Sequence, residues 1–363
     1  MMRWLAAVGL LAAFGAQAQT VETGTLGGAE YRVDVPAGWN HSLVVFYHGY
    51  SEKPTHFSKG AAAPGYTLPF LGRGYAVVES GFSVTGWALP QAFAETEMLR
   101  QKFVKDHGQP TETYVTGESM GGALTMMTFE KNPGPYNGAL DLCGAVLPAN
   151  EWSTRRFALL AAFEFYFPGI LPDLQPTPVD YVETEAVHQK VLAALAADPQ
   201  HAATMRLLTG LYTDEYVAHL MQYVVYQASD FARKAGGSVV DTRNWIYTGT
   251  GSAEGDFALN DGVKRYSADP AARKWMVENY SPTGHVVKPM LAVHTVVDNL
   301  IPAGSLELYA ERVAEAGNAD RFVQQYVDRV GHCAFTNDQI GRAFDELVGW
   351  VHGGAKPLGG KLP

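Results

Sequence analysis

Thr113-Tyr114-Val115-Thr116-Gly117-Glu118-Ser119-Met120-Gly121, running on into the helix-forming stretch 123–130, is the segment whose reading decides the fold. Its first four residues are β-branched or aromatic and predict a strand. A Gly-x-Ser-x-Gly pattern between a strand and a helix is a nucleophile elbow. The sharp turn holds the serine hydroxyl clear of the backbone and beside a base, which a weak nucleophile needs. Gly117 and Gly121 leave room for that turn, where side chains would collide with the neighbouring strand and helix. The same turn sets the Met120 N–H at a helix N-terminus, placed to stabilise an oxyanion.

Working outward, strands are expected at 30–35, 42–48, 75–79, 139–146, 290–297 and 321–327, with helices at 91–105 and 305–316 between them. Thr336 with Gln339 forms a capping-box pattern ahead of a final helix whose apolar face is Ile340, Phe344, Leu347, Val348 and Val351, and Gly353-Gly354 stops it. The tail from Lys356 is read as loose. Alternating strand and helix signals call for an α/β fold with a mostly parallel central sheet and helices on both faces. Between residues 148 and 285 the pattern becomes helical and aromatic-rich, with prolines at 168, 172, 176 and 178, and is read as a mainly helical cap inserted late in the sheet. Helices are expected there at 182–196 and 203–231. The domains are then a core of residues 19–147 and 286–363 and a cap of residues 148–285.

Residues 1–18 combine Arg3, an apolar run over 4–14 and the small-x-small site Ala16-Gln17-Ala18, the pattern of a secretory signal peptide. The apolar run is too short to span a bilayer, and no later stretch is long enough, so no membrane span is expected. The expected product is exported, to the periplasm or the extracellular space. Removing Arg3 takes the formal net charge from −10 to about −11. Lys and Arg are scattered, so no basic stripe exists to follow a phosphate backbone and nucleic acid is not an expected partner. No ligand-spaced His/Cys/Asp cluster and no phosphate-cradling glycine loop is present, so neither a metal nor a cofactor is expected.

A serine nucleophile needs a base, and the base needs an acid to fix its tautomer. His332 is the candidate base, on the loop Val330-Gly331-His332-Cys333 beyond the last core strand, whereas His294 falls inside a strand and His352 on the closing helix. Asp298, directly after the strand at 290–297, is the candidate acid, with Asp328 and Asp141 as rivals. The second oxyanion donor is expected from the turn Tyr47-His48-Gly49-Tyr50, as the backbone N–H of Tyr50 acting with that of Met120. His48 is read as a structural hydrogen-bonder and Glu118 as a carboxylate near the elbow. Cys143 and Cys333 are the chain's two cysteines, and in an exported protein they are a candidate disulfide that would tie the histidine loop to the sheet; two separate buried thiols are the alternative.

With the elbow, the His48-Gly49-Tyr50 turn, Asp298 and Gly331-His332-Cys333 in order, the chain resembles the α/β-hydrolase superfamily over nearly all of its length, most closely secreted bacterial members with a cap. The resemblance implies a Ser119-His332-Asp298 triad working through a covalent acyl-enzyme. The His332-Cys333 pair is similar to that of the tannase and feruloyl esterase group, in which a disulfide links the catalytic loops, although Glu118 stands before Ser119 where that group has cysteine. The expected substrate is a small-molecule ester or a peptide-like compound. Carboxylic ester hydrolysis is the first reading, a serine peptidase or amidase the second, and a non-catalytic binding protein on the same scaffold the third.

Overall fold

A strand that is apolar at every position needs both of its faces covered, and residues 43–47 meet that condition. In the computed structural model, which describes residues 18–147, 149–176 and 178–362, Leu43, Val45 and Tyr47 enter one buried cluster while Val44 and Phe46 enter another on the opposite face. The expected signal peptide lies, apart from Ala18, outside the described residues.

The core begins with β1 (Ala18–Leu26), β2 (Ala29–Pro36), β3 (Leu43–Tyr47), the short α1 (Leu68–Leu71), β4 (Ala76–Ser80) and α2 (Leu89–His107). Next come β5 (Thr113–Glu118), α3 (Met120–Lys131) and β6 (Gly138–Leu142). After a long insertion the core resumes with β7 (Met290–Val297), whose successors are labelled below in chain order.

The insertion comprises, among the described residues, α4 (Ala149–Tyr166), α5 (Glu185–Ala197), α6 (Pro199–Thr209), α7 (Asp214–Ala235), α8 (Ala253–Gly262) and α9 (Pro270–Tyr280). The core then closes with α10 (Ser305–Glu315), β8 (Phe322–Val330), α11 (Asn337–Val351) and β9 (Gly360–Lys361). The nine strands among the described residues form one sheet in the order β1-β2-β4-β3-β5-β6-β7-β8-β9. β1–β2 and β2–β4 are antiparallel and every later pair is parallel, the open α/β arrangement in which sites form at the carboxyl ends of the strands. α2, α3 and α10 cover one face, with Leu99, Leu124 and Tyr309 in its core; α1 and α11 cover the other through Phe70 and Phe344.

Three local expectations are corrected. The strand expected over 139–146 stops at Leu142, because Cys143 turns into a left-handed conformation with φ 48°. The single helix expected over 203–231 is two, since Gly210 takes a left-handed C-cap with φ 69° and the Thr213 side chain opens α7 by accepting from the Tyr216 amide. The tail from Lys356 is not loose: β9 pairs with β8, and Leu362 is buried against the sheet.

α7 runs through the middle of the inserted segment, in contact with α4, α5, α6 and α9. Its buried Asp230 accepts from the Trp87 amide at 2.8 Å and pairs with Lys234 at 2.7 Å, which fixes α7 to the loop after β4.

Candidate active site

The elbow's geometry follows from its two glycines. Ser119 sits at φ 60°, ψ −116°, a strained conformation for a residue with a side chain. A Cβ on Gly117 would lie 2.5 Å from both the Gly121 and Tyr47 carbonyl oxygens, and one on Gly121 would strike the Tyr47 carbonyl. Only bare backbone lets β5, α3 and β3 converge this closely. The turn is held by the Ser119 amide donating to the Leu142 carbonyl at 3.0 Å and by the Ala145 amide donating to the Ser119 carbonyl at 3.3 Å.

At this turn Ser119 meets the loops from the far end of the sheet. Ser119 Oγ lies 2.7 Å from His332 Nε2, and His332 Nδ1 lies 2.8 Å from Asp298 Oδ2. With the proton on Nδ1, the imidazole donates to the carboxylate and accepts the serine hydroxyl, the tautomer a general base requires. The other oxygen of Asp298 accepts from the Leu300 and Ile301 amides, each at 2.8 Å. Burial alone would push the Asp298 carboxyl up, but its hydrogen bond and charge interaction with His332, together with the amide bonds, hold it below the ordinary range.

The histidine loop is fastened on two sides. Gly331 donates its amide to the Val297 carbonyl at 2.8 Å and accepts from Thr295 Oγ1 at 2.9 Å. Cys333 is disulfide-bonded to Cys143, with Cα atoms 5.5 Å apart, so the residue after the candidate base is joined to the end of β6 beside the elbow. Both half-cystines, like Ser119, have positive φ, 48° at Cys143 and 50° at Cys333.

The Tyr47–Tyr50 turn faces the elbow: a Cβ on Gly49 would lie 3.5 Å from Ser119 Cβ. Among the described residues, the amides of Tyr50 and Met120 have no protein acceptor. His48 stacks on Phe82 with ring centroids 4.0 Å apart, its Nδ1 is 2.6 Å from the Gly49 carbonyl, and burial lowers its pKa to about 4. Glu118 is pushed up to about 7 by burial.

The rival acids lie elsewhere. Asp328 pairs with Lys361 at the sheet edge. Asp141 is fully buried behind the elbow against Gly122 and Gly144, raised to about 7 by that burial.

Two further residues lie near the site without having stood out in the sequence. His219, on α7, receives a hydrogen bond from the Asn299 side-chain amide at 3.3 Å, and burial and the nearby His188 and His332 lower its pKa. Arg156, on α4, stacks over Trp152. The sole trace of Arg156 in the sequence is its position four residues after Trp152 on a helical face, which separates it from any other surface arginine only once the fold is known.

Residues 26–151, about a third of the chain, match the model of a tannase-like family of unknown function. No curated protein matches the sequence. Feruloyl esterase B from Aspergillus oryzae is similar in structure with a TM-score of 0.47 at 14% identity, over 92% of this chain and 80% of that one. Est1E from Butyrivibrio proteoclasticus gives 0.44 at 11%, over 91% of this chain and 99% of its own. The acylaminoacyl peptidase of Pyrococcus horikoshii gives 0.44 at 11% over 86% of this chain, which spans 38% of that peptidase. The antiparallel strands β1 and β2 leading into parallel strands in the order β4-β3-β5-β6-β7-β8, with a sharp strand-to-helix turn after β5 and helices on both faces, give the chain the α/β-hydrolase fold.

Proposed function

We propose that this chain is an exported serine hydrolase that cleaves carboxylic esters through an acyl-enzyme, with Ser119 as nucleophile, His332 as general base and acid, and Asp298 as its orienting carboxylate. The observation that carries the reading is the continuous line Ser119 Oγ to His332 Nε2 at 2.7 Å and His332 Nδ1 to Asp298 Oδ2 at 2.8 Å. In the acylation step Ser119 Oγ forms a bond to the ester carbonyl carbon as its proton passes to His332 Nε2. The carbonyl oxygen takes up negative charge, received by the amides of Tyr50 and Met120; one such donor is worth about 2.7–4 kcal/mol to the transition state. The carbon–oxygen bond to the alcohol then breaks and the alkoxide leaves with the proton from His332. Water repeats the sequence on acyl-Ser119, releasing the acid and restoring the serine.

In this reading residues 148–285 form the cap. Tyr223 and Tyr226 of α7 pack edge-on against Tyr50, with ring centroids 5.6 and 5.1 Å away, so the insertion reaches the turn that would bind the oxyanion. The peptidase or amidase reading has one observation in its favour: Glu52 and Glu183 interact beside Tyr50, where they would suit a substrate amine, and burial and the Glu52 charge raise Glu183 to about 8.

A fluorophosphonate probe tests the proposal. Stoichiometric labelling mapped to the Ser119 peptide, absent in Ser119→Ala, is the expected result. A folded wild-type protein that takes no label would remove the hydrolase reading.

A further inference from the structure

Arginine is never discharged at neutral pH and is costly to bury without an acceptor. Among the described residues the other well-buried guanidinium, Arg32, obeys this rule with a two-point pair to Asp34 at 2.6 and 2.8 Å. Arg156 does not. It is 4% exposed, yet among the described residues no group accepts a hydrogen bond from it, and Nη1 is wholly enclosed without an acceptor. Its neighbours are the faces of Trp152, 4.4 Å from the guanidinium carbon to the ring centroid, and Tyr223, at 5.4 Å. Such faces offset part of the lost hydration but accept no proton. The carboxylate whose field it feels is Asp298, whose oxygens are already engaged by the Leu300 and Ile301 amides and by His332.

Arg156 lines a cavity of about 430 Å³ enclosed by α4, the turn between α6 and α7, and the loop from β7 to α10. Asp298 is also in its wall, so the cavity reaches the acid end of the catalytic line. Two more lining residues carry buried polar atoms without a partner among the described residues: Trp152 Nε1 and Ser305 Oγ. Much of the remaining wall is leucine, and apart from the engaged Asp298 its charged groups are Arg155 and Arg156. An apolar chamber with a fork-shaped cation in its wall and no acceptor for it is short of one thing, a flat monoanionic acceptor. A carboxylate fits the fork in a two-point bond; a doubly charged phosphate would call for a second buried cation.

We propose that this cavity is the subsite for a carboxylate carried by the substrate, with Arg156 as its counter-ion, so that preferred esters hold a free acid group besides the scissile bond. The proposal rests on the serine-hydrolase reading and narrows it to a substrate class.

The test uses matched esters. 4-Nitrophenyl monoesters of dicarboxylic acids of graded length are compared with their methyl diesters, and 4-carboxyphenyl butanoate with 4-carbamoylphenyl butanoate, so that the acid stands on either side of the bond. Wild type is expected to favour the carboxylate member of at least one pair in kcat/KM by about 10- to 100-fold, the worth of a hydrogen bond to a charged group. That ratio is expected to collapse toward one in Arg156→Gln and to be partly kept in Arg156→Lys, which retains charge without the fork. Because each ratio is internal to one protein, a change in the amount of folded variant cancels. A wild-type ratio at or below one in every pair overturns the proposal, and so does a preference that survives unchanged in Arg156→Gln. In those cases turnover of neutral esters and labelling of Ser119 leave the hydrolase reading standing. If neither ester is cleaved and Ser119 takes no fluorophosphonate, that reading falls and the proposal falls with it.

Discussion

Asp298 shows how one side chain is made to serve one purpose. Two amides fix one of its oxygens and His332 takes the other, so the carboxylate has no freedom to rotate away from the imidazole. Asp298→Asn keeps the shape but removes the acceptor that selects the Nδ1–H tautomer; ester turnover is expected to fall on the order of 10³–10⁴-fold with little change in melting temperature, measured as kcat on a neutral ester. His332 and Asp298 were legible in the sequence because chain order and position after a strand are sequence properties. Arg156 and His219 were not, since both lie on helices whose facing toward the site depends on how the insertion packs over the sheet.

The elements around the site depend on close backbone approach and on one covalent tie. Gly117→Ala would set a methyl group 2.5 Å from two carbonyl oxygens, with backbone on both sides unable to yield. A loss of more than about 2 kcal/mol is expected, read as a lower urea midpoint at unchanged slope. The Cys143–Cys333 bond closes a loop of 190 residues, so opening it costs up to about 5 kcal/mol in the chain-entropy model. Reduced protein, or the Cys143→Ala/Cys333→Ala pair, is expected to lose ester turnover at temperatures well below global unfolding, because the bond anchors the residue next to His332. The core strands and the capping box at Thr336 could be read from local pattern, and both are present. The break between α6 and α7 escaped because an apolar period continues across Gly210, and the last strand because two residues pairing at a sheet edge leave no periodic signal.

Across the whole molecule, the inner strands bury carboxyl groups in surroundings that favour the protonated form. Burial raises Glu79 to about 8, Glu118 to about 7 and Asp141 to about 7, from ordinary values of 4.5, 4.5 and 3.8. Each folded value exceeds the unfolded one. Below about pH 4 both states hold these protons; as pH rises further the unfolded chain releases them first, and stability declines until the folded values near 7–8 are passed. Asp298, depressed, has the opposite sign: its stabilisation is present above the usual aspartate range and is lost as pH falls through its folded value. Unfolding free energy from urea titrations is therefore expected to be higher at about pH 5 than at about pH 8, and Asp141→Asn to flatten that slope. A slope that is unchanged in Asp141→Asn would remove Asp141 from the explanation.

The most direct test of the catalytic reading is kcat/KM for a neutral 4-nitrophenyl ester in wild type and in Ser119→Ala, with circular dichroism showing both folded. A loss on the order of 10⁴-fold or more is expected, leaving the residual rate that oxyanion donors and binding alone provide. A Ser119→Ala protein that stays within about tenfold of wild type, a difference of about 1.4 kcal/mol, would contradict the assignment of the nucleophile.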